Sequence, residues 1–252
     1  FENNINAGTA TATFTGKGNY TGTATEDFDI FKADNEWTTE PSIAGWTYAQ
    51  TPSEPISAAK VGTAIVTYGA SGTTRPTLPG DYVATFTVPE SENYNELTKD
   101  VPFTIAPATI NYVADNASGE YSGADYTITV SVSTPAAGAV VKYSESATGP
   151  WQDAPIFFKD VCNAKPIYFQ ITAEGYTTVV DSRTVTINAK QISNDFVWLV
   201  FPPDDYIYDG TAKIPDVACG DGNPSIITTS DFSVSFENNI NAGTATATFT
   251  GK

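Results

Sequence analysis

Histidine and methionine are absent from this sequence, cysteine occurs only twice, and basic residues are scarce. Without histidine the usual general base at neutral pH is missing, so Ser-His-Asp and Cys-His arrangements and His-based metal sites are excluded. There is no phosphate loop and no CxxC pair. No apolar run approaches the ~20 residues of a membrane span. Lys and Arg number 12 against 29 Asp and Glu, a net charge of −17, which argues against nucleic acid and anionic membrane surfaces as partners. These absences predict a protein that is not an enzyme, holds no cofactor and inserts no part of this segment into a membrane. With no Met and no visible signal peptide, the sequence reads as a portion of something longer.

What is present is enough to build cores: 40% of residues are hydrophobic and 12% are aromatic. Alternation with period two marks strands. In GTATATF, Ala10, Ala12 and Phe14 share one face; in DYVATFTV, Tyr82, Ala84, Phe86 and Val88 do; in PIYFQIT, Ile167, Phe169 and Ile171 do. Gly (19) and Pro (16) punctuate short segments and no amphipathic helix is found, so the predicted fold class is all-β.

The first seventeen letters, FENNINAGTATATFTGK, return unchanged at 236–252, a period of 235 residues. A looser repeat underlies it. GNYTGTATEDFDI, ENYNELTKDVPFTI and EGYTTVVDSRTVTI each read as a turn, a tyrosine that anchors it (Tyr20, Tyr94, Tyr176) and a closing strand, at intervals of about eighty residues. About seven short strands in that length suit an immunoglobulin-like sandwich. The expected division is 1–31, the closing strands of one domain; 32–106 and 107–188, two complete domains; and 189–252, the opening part of the next copy of the first. Two readings of the incomplete ends stay open. The chain is a window on a continuous array, or residues 18–30 supply the last strand that 189–252 lacks, in cis or between molecules. The linkers FKADNEW, APATINY and NAKQISNDF are short and contain no Gly/Ser tract, which predicts restricted angles between successive domains.

The run YDGTAKIPDV (208–217), DFSVSFENNINAGTATATFTGK (231–252) and GNYTGTATEDFDI (18–30) resembles the MBG-type immunoglobulin-like tandem repeats of large bacterial surface proteins. The matching positions are Tyr208, Gly210, Pro215, Asn241, Ala242, Gly243, Thr244, Gly18, Asn19 and Tyr20. Residues 32–106 resemble a divergent relative and 107–188 a more divergent one, with Lys165 in place of the motif glycine. The resemblance implies an extracellular or cell-surface stalk and no chemistry of its own.

Several side chains are candidates for a site. Cys219 follows an early returning strand and Cys162 begins a late one, which places both near the junction of 107–188 and 189–252. The prediction is an interdomain disulfide, with two independent thiols or a bridge between chains as alternatives; a bridge spanning that loop would stabilise by about 4 kcal/mol in the chain-entropy model. Calcium is the one ion in play, through Asp204, Asp205 and Asp209 in PPDDYIYDG, with Asp221 and Asn223 in GDGN as a second acidic run; a solvated acidic loop is the simpler reading. Trp37, Trp46, Trp151 and Trp198 lack a common spacing and read as packing residues rather than a sugar platform. NYT (19–21) and NAS (116–118) are glycosylation sequons by pattern.

The function expected is structural: one period of a bacterial extracellular fibre or surface stalk. Its partners are further copies of the repeat in cis, and neighbouring chains if it assembles into filaments. The alternatives are an adhesin-type module recognising a glycan or host protein, and an accessory β region of a surface hydrolase.

Overall fold

The computed structural model describes residues 1–201, 206–220 and 227–252. Strands hold 49% of the described residues, whose helical content is one 3-10 turn at Gly69–Ser71, so the protein is all-β. By contact the chain divides into two units. The first is Phe1–Asn111 with Thr134–Ala139 and Thr172–Thr178; the second is Tyr112–Ser133 with Val140–Ile171 and Val179–Lys252.

The first unit begins with an antiparallel hairpin of β1 (Gly8–Thr15) and β2 (Thr23–Ile30), in register from Gly8 opposite Ile30 to Thr15 opposite Thr23. Next come β3 (Trp37–Ser42), β4 (Trp46–Thr47), β5 (Ile56–Ala59), β6 (Ile65–Thr67), β7 (Gly80–Val88) and β8 (Leu97–Ala106). β3 pairs with β5, and the remaining four form a sheet in the order β4-β8-β7-β6. The alternating residues of β7 and β8 explain where the core lies. Ala84, Phe86, Phe103 and Ile105 point to one side and are buried with Ile43 and Tyr68. Trp46 stacks on Phe103 at 5.3 Å between ring centroids, and Trp37 of the two-stranded sheet packs against the same cluster. Full burial of a side chain such as Phe86 is worth about 1.5–3 kcal/mol. β4 runs parallel to β8, Trp46 opposite Ile105, and the approach is close: a Cβ on Gly45 would stand 2.5 Å from the Thr104 carbonyl oxygen. Buried Asn35 ties the linker to the end of β5. Its Nδ2 donates to the Val61 carbonyl (2.8 Å), and its Oδ1 accepts from the backbone N–H of Glu36 and of Val61.

The second unit holds β9 (Asn111–Asp115), β10 (Ala117–Glu120), β11 (Thr129–Thr134), β12 (Val140–Ser144), β13 (Cys162–Thr172) and β14 (Val179–Asn188), apart from the terminal residues Asn111, Thr134 and Thr172. β9 pairs with β11, and the others form a sheet in the order β10-β14-β13-β12. Strand for strand, this is the pairing scheme of β3 to β8, with β10 again parallel to its neighbour. Ile167, Phe169, Ile171, Val185 and Ile187 make the core. Where the seventeen-residue copies have a positive-φ glycine at or just ahead of the strand's start (Gly8 and Gly243, φ 137° and 139°), this one has Lys165. A bulge between Cys162 and Lys165, with Ala164 at φ 48°, makes the corner instead.

The second unit continues with β15 (Val197–Val200), β16 (Asp216–Cys219), β17 (Phe232–Glu237) and β18 (Thr246–Gly251). β15 pairs with β16 as β3 does with β5, and β17 pairs with β18 as β6 does with β7.

Candidate functional site

The repeated seventeen residues occupy two environments, and the comparison reveals two strand edges. At the beginning of the chain, Thr11 exchanges both backbone hydrogen bonds with Glu2 (2.9 and 3.1 Å). Backbone groups of alternate residues in an antiparallel strand point to opposite edges. Ala10, Ala12 and Phe14 therefore face β2, where they stand opposite Phe28, Glu26 and Ala24. The same pair recurs at the other copy: Glu237 lies opposite Thr246. There β17 occupies the edge on the Glu237 side. The edge that would face β2, presented by Ala245, Ala247, Phe249 and Gly251, has no strand beside it among the described residues.

Burial follows the missing neighbours. Ala10 is 0% exposed under β2, whereas its twin Ala245 is exposed. Phe14 is 60% exposed, whereas its twin Phe249 is half-buried and meets Phe232 edge-on at 5.7 Å. At the matching place on β7 and β13, Phe86 and Ile171 are each 0% exposed. Each copy thus carries only part of the surroundings that β7 and β13 have in full.

Two depressions lie at the two ends of β18. One, ≈ 360 Å³, has a mixed lining that includes Phe201, Tyr206, Lys213, Phe236, Asn239 and Ala247. The other, ≈ 400 Å³, is lined by Tyr121, Val161, Lys190, Ile192, Gly251 and Lys252 among others.

The turn tyrosines form a set. Ala33 donates to the Asn93 carbonyl and accepts from Asn95, bracketing Tyr94; Ala108 does the same with Gly175 and Thr177 around Tyr176. Beyond anchoring its hairpin, each turn clasps the start of its own domain-length segment. Tyr94 and Tyr176 are half-buried, and Tyr176 meets Tyr48 edge-on at 5.5 Å, while Tyr20 is 79% exposed. Beside Tyr94, Asn93 Oδ1 accepts from Ala7 N–H (2.7 Å), Asn93 Nδ2 donates to Asn6 Oδ1 (3.0 Å) and Asn6 Nδ2 donates to Glu92 Oε1 (3.1 Å). These contacts pin the repeated segment to the turn.

Cys162 and Cys219 are not joined: both are free thiols. The Cys162 Sγ–H is directed at the Val185 carbonyl and that of Cys219 at the Ile227 carbonyl, each at 3.6 Å. The two residues do stand at strand ends, Cys162 opening β13 and Cys219 closing β16, but each sulfur turns toward a carbonyl near its own strand. Of the calcium candidates, Asp204 and Asp205 lie outside the described residues, as do Asp221 and Asn223. Asp209 is occupied by protein. Lys213 Nζ stands 2.5 Å from Oδ1, and the Thr211 hydroxyl and N–H donate to the same oxygen, so its carboxyl is held well below the usual range, chiefly by Lys213. No acidic cluster of metal-binding size occurs among the described residues. Trp37 and Trp46 pack against the first core, Trp151 is half-buried and Trp198 is exposed. The Asn116 side chain of the second sequon accepts from Thr184 N–H.

One charged network has no clear signal in the sequence. Tyr112 on β9 donates its hydroxyl to Asp181 Oδ2 on β14 (2.8 Å), Arg183 pairs with the same oxygen (2.8 Å), and Arg183 Nε donates to the Ala114 carbonyl (2.7 Å). It bridges two sheets. Burial works against the Asp181 carboxylate, but the Ser182 N–H, Tyr112 and Arg183 outweigh it and lower its pKa. The Tyr112 hydroxyl is raised, first by its bond to Asp181 and then by burial.

The chain matches no protein-family model, and it matches no curated protein. No helix among the described residues is long and apolar enough to cross a membrane.

Proposed function

We propose that this protein is a structural component of a bacterial extracellular fibre or surface stalk, one 235-residue period of a tandem array of immunoglobulin-like sandwiches. The observation that carries this reading is the recurrence of one pairing scheme along the chain. It is complete in β3–β8 and in β9–β14, and it is divided between β15–β18 and β1–β2, whose repeated strand is identical in sequence. Serial modules joined by short, hydrogen-bonded linkers span distance, and their stability is roughly a sum of modules and neighbour contacts. The resemblance to MBG-type surface repeats supports an extracellular location. The acidic exterior keeps such an array hydrated and discourages edge-to-edge aggregation. In this reading the chain does no chemistry and needs no cofactor. Electron microscopy of the native material, labelled with antibody against residues 32–188, tests the proposal. Label on extended fibres or stalks outside the cell agrees with it; label confined to globular particles inside the cell contradicts it.

A further inference from the structure

We infer that the residue before each turn tyrosine decides which strand set can follow which along the chain. Asn93 is read by Asn6 and Ala7, Gly175 is read by the ring of Tyr48, and neither turn fits the other's seat. The seat is an interaction surface, and its partner is the turn of the strand set that comes next. The inference goes beyond the proposed stalk and does not depend on its location, because it rests on contacts inside this chain. Every residue it uses belongs to the first unit.

The two turns are equivalent by their backbone bonds. The carbonyls of Asn93 and Gly175 accept the N–H of Ala33 and of Ala108, and Asn95 and Thr177 each return an N–H to the same alanine. The tyrosine lies between, Tyr94 in one turn and Tyr176 in the other. What meets the turn from the preceding strands is different in the two cases.

The first seat is made of amides. Ala7 N–H donates to Asn93 Oδ1 at 2.7 Å, and Asn93 Nδ2 donates to Asn6 Oδ1 at 3.0 Å. It needs a side chain that accepts and donates at once, and glycine does neither.

The second seat is made of a ring. Gly8 stands opposite Ile30 and Gly80 opposite Ile105, so Leu78 and Pro79 take the places of Asn6 and Ala7. Proline has no N–H to give and leucine has no amide, so an asparagine arriving here loses both partners. The turn that does arrive carries Gly175, and Tyr48 lies directly on it. A Cβ at 175 would stand 2.5 Å from Cδ1 and Cζ of the Tyr48 ring, so any side chain there evicts the ring. The same ring meets Tyr176 edge-on at 5.5 Å.

The second seat has little slack. Tyr48 N–H donates to the Ala106 carbonyl at 2.8 Å, and Ala108 is held by Gly175 and Thr177 at 2.9 Å each. Only Pro107 lies between these two anchor points, and its ring fixes φ. The turn therefore cannot slide to make room for a Cβ.

The test uses the full chain, with amide exchange read by NMR. Gly175→Asn puts a Cβ under the ring and speeds exchange at Ala108 and Thr177 by at least ~10-fold. Gly175 has φ 80°, which strains a side chain by itself, although asparagine visits this region more readily than most residues. A double-mutant cycle separates that strain from the ring. In a Tyr48→Ala chain the added Gly175→Asn change speeds exchange less than ~3-fold, whereas in a Tyr48→Phe chain, which keeps the ring, the effect stays near ~10-fold. If Gly175→Asn leaves residues 107–188 unfolded, Gly175→Ala makes the same comparison with one methyl group. Asn93→Gly speeds exchange at Ala7 by at least ~10-fold and leaves Ala108 and Thr177 unchanged. A change at Gly175 that costs as much without the Tyr48 ring as with it overturns the inference, because φ alone would then demand glycine. An Ala7 amide equally protected in Asn93→Gly overturns it too. None of these readouts depends on where the protein resides, so the stalk proposal stands or falls separately.

Discussion

Three phenylalanines occupy one place in the repeat, and truncating each to alanine tests how complete its surroundings are. Phe86 is 0% exposed, packed among Ile43, Tyr68, Ala84, Phe103 and Ile105. Phe86→Ala removes its transfer energy and leaves a cavity, at a cost of about 3–5 kcal/mol. For a module of the proposed size each 1 kcal/mol moves Tm by roughly 4–8 °C, so the transition that carries Phe86 falls by roughly 12–40 °C. Phe249 is half-buried and keeps one aromatic neighbour, Phe232, so Phe249→Ala costs about 1–2 kcal/mol. Phe14 is exposed and faces only Ala24 across the hairpin, so Phe14→Ala costs less than about 1 kcal/mol. Differential scanning calorimetry of the full chain reads all three, with near-UV circular dichroism assigning the transitions. If Phe86→Ala leaves its module unfolded at room temperature, Phe86→Leu restores a measurable transition at a temperature below that of the unaltered chain. Equal losses for Phe14→Ala and Phe86→Ala would refute the reasoning, because they would mean that equivalent positions have equivalent surroundings.

Asp181→Asn breaks the bridge between β9 and β14 and costs about 1.5–3 kcal/mol, measured by urea denaturation. Because the Asp181 pKa is lowered on folding, its contribution is present above the unfolded carboxylate value of about 4 and is lost as pH falls through the folded value. The raised Tyr112 hydroxyl contributes below its unfolded value of about 10, and that part is lost as pH rises through its folded value; D181N flattens both limbs of the stability–pH curve. The two cysteines react as free thiols, so mass spectrometry after denaturation with a maleimide and no reductant finds two adducts; a mass two hydrogens lower with no adduct would show a bridge instead.

The strands with the cleanest alternation were legible because their signal is local. Tyr82-Ala84-Phe86 and Ile167-Phe169-Ile171 state which face is buried before any partner is known. The parallel pairing of two-residue β4 to β8 was not legible, since its only sequence trace is Gly45, needed for close approach to Thr104. Asp181 and Arg183 sit two apart on β14, the spacing of an ordinary solvated face, and Tyr112 sits in what reads as a linker. Only the folding of β9 against β14 brings the three together. The cysteines show the same limit from the other side. Topology assigns a strand end to a region, but the direction of a sulfur depends on local backbone carbonyls, such as Val185 and Ile227. The open edge of β18 was half legible. The duplicated letters announced that a strand had two settings, and the Glu2–Thr11 pair was needed to show that those settings use opposite edges.

Single-molecule force spectroscopy of the full chain tests the central claim, serial modules carrying load, most directly. Residues 32–106 and 107–188 are predicted to unfold one after the other, each releasing roughly 20–30 nm of chain. A single step that frees most of the chain at once, or a smooth extension without steps, would contradict the account.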